Sequence, residues 1–233
     1  MTSFHQFFLI FINLIVGVQS LSVKAPSSST SNNNNIKSFH FGGGCFWAPD
    51  DNLKNKPGII SSSVGYCGDD TPFRKIPTYD KICGGRTNLV EAVRVEYDAT
   101  QVSYEDMLNY FAEVNTAEWA NKRQYKGIIF TSDKDESKKA VSFLKQNIGV
   151  VAEVEPMSKM FYKAERYHQN YWGKWRTRGL SLLAVLGGVG TYGEEYLGDA
   201  LSQKVYNGLI FGFVLFTLVE RRFFYGQEAI AVE

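Results

Sequence analysis

Three consecutive glycines, Gly42-Gly43-Gly44, place the tightest constraint on this chain. They end an alternating segment, residues 38–43, in which Phe39 and Phe41 share one face, the pattern of a half-buried strand. Glycine adopts backbone conformations that other residues avoid, so the run can turn sharply and expose its N–H groups. Pro49-Asp50-Asp51 then reads as a helix start. A strand, a tight turn and a helix open an α/β unit. The turn is no phosphate loop: no Gly-Lys-Ser or Gly-Lys-Thr follows, and the spacing is not Gly-x-Gly-x-x-Gly.

The remaining periodicities continue the unit. Pro57-Gly58 closes the helix, and residues 59–66 read as a strand. Residues 67–88 read as a long loop, a length associated with function. Residues 89–97 form a strand with Glu91, Val93, Val95 and Tyr97 on one face. Ser103 caps a helix whose stripe is Tyr104, Met107, Leu108, Phe111 and Val114. A strand at 126–131 and a helix capped by Ser132, with Ala140, Phe143 and Leu144 inward, come next. A strand at 150–155 and a helix at 164–172 complete the series. The order predicts a ferredoxin-like two-layer α/β (α+β) sandwich with a split βαβ core over 38–172.

The ends read as addresses and anchors. Residues 7–18 are a largely apolar run of 12, too short for a membrane-spanning helix and suited to a signal peptide over 1–20. Residues 21–37, Ser- and Asn-rich without acid, read as a disordered linker or a transit segment. This predicts the secretory pathway or a plastid. Residues 173–233 form a helical C-terminal extension. It holds two uncharged stretches, 179–193 and 205–219, with Glu194, Glu195, Asp199 and Lys204 between them. Two readings stand: a hairpin packed on the domain, or a membrane association through 179–219, as a hairpin or a single anchor at 205–219.

Charge, cysteine and histidine content narrow the partners. The 25 basic and 24 acidic residues leave +1, which speaks against nucleic acid. Three cysteines cannot make a disulfide scaffold. His5, His40 and His168 lie too far apart for metal-ligand spacing, so no metal is expected.

Cys45 sits where chemistry is expected. The glycine turn before it and the helix start after it both favour a thiolate. An inert buried thiol is the plain alternative. Phe46 and Trp47 are either core or the wall of a small apolar pocket. Glu91 lies on an otherwise apolar strand face, where burial raises a carboxyl pKa and makes a proton donor near neutrality. The alternative is an edge position reaching solvent. Arg94 and Glu96, on the other face, read as a solvated surface. His168 reads as a structural histidine.

These residues carry a resemblance. Gly-Gly-Gly-Cys45-Phe46-Trp47, Val64-Gly65-Tyr66, Pro77-Thr78-Tyr79, Glu91-Ala92-Val93 with Tyr97-Asp98, Gln124-Tyr125, and Ala164-Glu165 with His168-Gln169 occur in order. The series resembles the A-type peptide methionine sulfoxide reductases over about 38–172. The resemblance implies thiol-dependent reduction of methionine S-sulfoxide, free or in proteins, and repair of oxidised proteins. It implies that Cys45 is the nucleophile that becomes a sulfenic acid and that Glu91 protonates the sulfoxide oxygen. It further implies that Tyr79 and Tyr125 hydrogen-bond that oxygen, while Phe46 and Trp47 hold the methyl group. No bound cofactor is implied; an external thiol (thioredoxin, glutaredoxin or a small thiol) supplies the electrons.

The chain also departs from the family pattern. Ala48-Pro49-Asp50, Val114-Asn115-Thr116 and Asn88-Leu89-Val90 replace the usual residues. The segment before Tyr125 is shortened, and Ala120 stands where a supporting aspartate is expected. Reduced or shifted activity is the expectation. No cysteine follows Cys83, which leaves Cys67, Cys83 or the external thiol to resolve the sulfenic acid. Two rival readings are a non-catalytic module that binds oxidised methionine, motivated by segment 114–123, and a peroxide sensor acting through Cys45.

Overall fold

The computed structural model describes residues 35–70, 73, 78–117, 122–223 and 230–232, the side chains of 221–223 and 230–232 excepted. The signal peptide expected at 1–20, most of the 21–37 segment, Pro77 and Ala120 lie outside the described residues.

Strands and helices alternate through β1 (Ile36–Gly43), α1 (Trp47–Leu53), β2 (Ile59–Cys67), α2 (Tyr79–Cys83), β3 (Val90–Asp98) and α3 (Tyr104–Val114). These are followed by β4 (Gly127–Thr131), α4 (Lys134–Gln146), β5 (Glu153–Pro156) and β6 (Phe161–Lys163). Two long helices, α5 (Tyr171–Leu197) and α6 (Asp199–Phe223), and a short β7 (Ile230–Val232) close the chain.

The sheet runs β5-β4-β1-β3-β2-β6-β7. Its central order, β4-β1-β3-β2, has β3 antiparallel to both β1 and β2, which is the split βαβ arrangement the sequence predicts. β5 adds parallel to β4, across the α4 connection.

Side-chain alternation sorts the sheet into two faces. Phe39, Phe41, Val64, Tyr66, Val93, Val95 and Tyr97 face the helices in one core. Phe41 meets Phe111 of α3 edge-on, at 5.3 Å and 74°. Burying a side chain of that size stabilises by about 1.5–3 kcal/mol. Cys67, Val90, Ala92, Ile128, Phe130 and Phe161 form a second cluster on the other face.

Several boundaries differ from expectation. β1 starts at Ile36, inside the segment read as linker. A one-turn helix, α2, occupies the loop expected at 67–88, and Gly85 (φ +67°) turns the chain after it. Asp133, not Ser132, caps α4: its carboxylate accepts from the Asp135 and Glu136 N–H groups, and a carboxylate is favoured there by the helix dipole. The helix expected at 164–172 is a turn, and helix begins only at Tyr171, after Asn170 at φ +50°. The Gln169 side chain explains the turn, because it bonds the Val64 and Ala164 carbonyls in place of a helical backbone.

Residues 174–218 form a compact unit of their own, and the remaining described residues form the other. Within 174–218, α5 and α6 are an antiparallel hairpin turned at Gly198 (φ +72°). Gly193 lies against Ser202, where any side chain would collide. Trp175 meets Phe213, and the Arg178 guanidinium lies 5.6 Å over the Phe216 ring.

Candidate active site

The glycine turn does what its sequence suggests. Gly44 takes φ +84°, and a side chain there would strike Thr116. The Thr116 N–H and Oγ1–H both donate to the Gly43 carbonyl, at 3.1 and 2.9 Å. The altered segment 114–116 is thus built onto the turn that presents Cys45. β1 ends, the chain reverses, and α1 starts at Trp47 with Cys45 exposed between them.

Glu91 closes the site from β3. It is 1% exposed, and burial lifts its pKa to about 8. The Phe46 N–H donates to one carboxylate oxygen (3.3 Å) and Gln124 Nε2 to the other (3.4 Å), which together pull only partly the other way. The apolar strand face alone accounts for this: a charged carboxylate there has lost its water.

Cys45 differs from expectation. Its pKa is raised, first by crowding of the thiol by protein and then by the nearby Glu91 charge and Cys83. A backbone hydrogen bond with Trp47, a larger influence than either Glu91 or Cys83, lowers it by less than burial raises it. The turn geometry is as read, but a helix start of one hydrogen bond cannot outweigh lost solvation beside a carboxylate.

Tyr79, on α2, and Tyr125, at the end of a 3-10 turn, come from distant segments to the same place. Their hydroxyls pair, Tyr79 also bonds Cys83, and Glu91 acts on both electrostatically. Gln124, the neighbour of Tyr125, donates to Cys83 Sγ at 3.2 Å as well as to Glu91. Cys83 therefore borders the site.

Cys67 does not. In register it lies opposite Val90, while Glu91 pairs with Tyr66, so its thiol points to the far face of the sheet. It is 0% exposed, and burial pushes its pKa well up. Sequence proximity to a turn had suggested access. Strand alternation, readable from Tyr66-Cys67, carries the opposite message.

Phe46 and Trp47 are held by His168 and by Tyr171, a residue sequence reasoning missed. Phe46 is covered, its ring between those of Tyr66 and His168. Trp47 is half-buried: Tyr171 stacks flat on it, at 3.8 Å and 4°, and its Nε1–H donates to His168 Nδ1 at 3.1 Å. Glu165 accepts from the Tyr66 hydroxyl (2.8 Å) and the Tyr79 N–H (3.1 Å), tying β2 to α2. His168 is structural, as read, and it fixes the Trp47 ring. The buried polar residues Glu165 and His168 in an aromatic segment were the available signal. Among the described residues no His, Cys, Asp and Glu group has metal-holding geometry.

Residues 37–185 match the family model described as "Peptide methionine sulfoxide reductase". The chain belongs to this family. It is 36% identical over 144 residues to the peptide methionine sulfoxide reductase MsrA of Nautilia profundicola, covering 58% of this chain and 81% of that one. Against the peptide methionine sulfoxide reductase of Brassica napus it is 35% identical over 158 residues, 63% of this chain and 60% of that one. Among solved structures, methionine sulfoxide reductase A of Corynebacterium diphtheriae superposes with a TM-score of 0.54 at 27% identity, over 61% of this chain and 76% of that chain. The matched span holds every site residue of the reductase reading and includes the start of α5.

Proposed function

We propose that this chain reduces methionine S-sulfoxide to methionine, with Cys45 as nucleophile and Glu91 as acid. The observation that carries the reading is a carboxyl kept protonated near neutrality, bonded to the backbone of the residue after an exposed cysteine. An ionised Glu91 would raise the Cys45 thiol further, so a thiolate forms more readily while Glu91 keeps its proton. With Glu91 protonated, Cys45 is free to ionise and attack sulfur while Glu91 protonates the oxygen. Tyr79 and Tyr125 hydrogen-bond the oxygen, and Trp47 supports the methyl group. Oxygen passes to Cys45, which is oxidised to a sulfenic acid, and the substrate sulfur is reduced to the thioether.

Cys83 is the resolving thiol of this reading, and Cys67 is not. Cys83 Sγ attacks the Cys45 sulfur, the S–O bond breaks, and the hydroxide leaves as water with the proton that the Cys83 thiol gives up through Glu91. The resulting disulfide is reduced by an external dithiol of the thioredoxin or glutaredoxin kind. The leader-like residues 1–20 and the acid-free segment after them support a secretory or plastid location.

The test is turnover of both sulfoxide epimers by the full chain, with dithiothreitol and separately with thioredoxin and its reductase. Loss of the S epimer alone, abolished in Cys45→Ser, is the expected result. Cys83→Ser should keep dithiothreitol activity and lose thioredoxin activity, while Cys67→Ser keeps both. No Cys45-dependent turnover by folded protein would overturn the reading in favour of a binding module. Retained thioredoxin activity in Cys83→Ser would mean that the external thiol attacks the sulfenic acid directly.

A further inference from the structure

The hairpin α5–α6 leaves an unusual amount of apolar surface open. Leu180, Leu183, Leu201, Ile210, Phe211, Val214 and Leu218 are all exposed. Over Asp199–Glu220, α6 is long and apolar enough to cross a membrane, with a mean hydropathy of 1.2. Only 6% of that window is buried, so α6 is no core helix.

The charges are sorted by end. An antiparallel hairpin puts the start of α5 and the end of α6 together. That open end carries Lys174, Arg176 and Arg178 from one helix and Arg221 and Arg222 from the other, with Glu220 the one acid. The closed end carries Glu194, Glu195 and Asp199, with Lys204 the one base. Between them lie the uncharged runs 179–193 and 205–219. Fifteen helical residues rise about 22 Å, and Arg178 and Lys204 extend that reach by snorkelling toward headgroups.

The sheet then fixes the number of crossings. β7, after α6, pairs antiparallel with β6, before α5. The chain must therefore leave and return on one side of any bilayer. A single anchor by α6 is incompatible with that pairing; α6 is the one described helix apolar enough to cross by itself, and α5 would cross as its partner.

We propose that α5 and α6 form a transmembrane hairpin whose partner is a lipid bilayer. Its basic open end lies at anionic headgroups on the side of the catalytic domain, and its acidic turn lies on the opposite side. Lys and Arg near such a surface are attracted to its negative potential. The proposal does not rest on the reductase chemistry.

The test is cell-free synthesis of the full chain with preformed phosphatidylcholine–phosphatidylglycerol vesicles. The background is Cys45→Ser with Cys83→Ser, and single reporters are Lys138→Cys on the domain and Glu195→Cys at the turn. The chain should float with the vesicles and resist alkaline carbonate. A membrane-impermeant maleimide should label position 138 at once and position 195 only after detergent. Phe211→Glu with Val214→Glu should lose carbonate resistance. Recovery in the soluble fraction, including as an oligomer joined by these faces, would overturn the proposal. So would equal labelling at 138 and 195 in intact vesicles, the result for a hairpin lying on the surface.

Discussion

At the level of single residues, the site is a balance between one carboxyl and one thiol. Burial holds Glu91 near pKa 8, and its ionised form would oppose the Cys45 thiolate. Raising pH through about 8 should therefore remove the acid and suppress the nucleophile together. kcat/KM for the S epimer is expected to fall on the alkaline side with an apparent pKa near 8. Glu91→Gln should lower kcat about 10²–10⁴-fold, the usual worth of general acid catalysis, and flatten that limb. An unchanged alkaline limb in Glu91→Gln would remove Glu91 from the acid role. Glu91 was legible in the sequence because a carboxylate on a Val-Val-Tyr face has few physical excuses. The thiol pKa was not, because it depends on how neighbours from β3 and α2 crowd Cys45. Tyr171, and the partner of the structural His168, were also beyond reach. Tyr171 and His168 hold Trp47, and the pairing joins segments more than a hundred residues apart. His168→Ala should raise KM more than it lowers kcat, since the Trp47 ring loses its fixed orientation while Cys45 and Glu91 keep theirs; equal loss in both would contradict a positioning role.

At the level of elements, periodicity placed β1 to β4 within two residues, while β5 begins three residues later than read and α1 ends at Leu53, short of Pro57; what single side chains set was missed. Ser103 was legible because its partner is local. Its hydroxyl oxygen accepts from the Asp106 N–H, and Asp106 returns a bond to the Ser103 N–H, a complete capping box. Ser103→Ala should lower stability by about 1 kcal/mol in urea titration, with activity retained at low denaturant. The departures at 114–116 look different once placed. Thr116 binds the Gly43 carbonyl from two groups, so the altered segment supports the catalytic turn rather than leaving it loose. Thr116→Val removes the hydroxyl bond and keeps the backbone bond. It should cost activity more than stability, because the turn carries Cys45 and little of the core. A stability loss above about 3 kcal/mol without loss of kcat would show instead that Thr116 serves packing. The end of the chain was hardest to read: β6 and β7 are three residues each, too short to show alternation.

At the level of the molecule, the buried acid makes folding depend on pH, and the sign follows from linkage. In the unfolded chain Glu91 titrates near 4.5, and in the folded one near 8. Between those values the folded state holds a proton that the unfolded state has released. Stability then falls as pH rises, by the rule that it follows the difference in bound protons. The contribution is fully present below the unfolded value and gone above the folded one. Other groups act oppositely: Asp98, Asp106 and Asp133 are lowered by their hydrogen bonds, and favour the fold as pH rises through their own acidic range. Those carboxylates are exposed and finish titrating well below neutrality, and buried His40, lowered to about 4, favours the fold as pH rises to about 6.5; the range above that is left to Glu91. Denaturant midpoints measured from pH 6.5 to 8.5 should decline toward the alkaline end in the parent protein. Glu91→Gln, which buries a neutral group of the same shape, should hold its midpoint across that window. The parent and the variant should therefore differ most above pH 8, with the variant the more stable. Parallel curves for the two proteins would mean that Glu91 ionises with little cost, and the activity limb assigned to it would lose its physical cause. One carboxyl is thus expected to link rate and stability: the burial that readies the site for proton donation is the same burial that penalises its charged form.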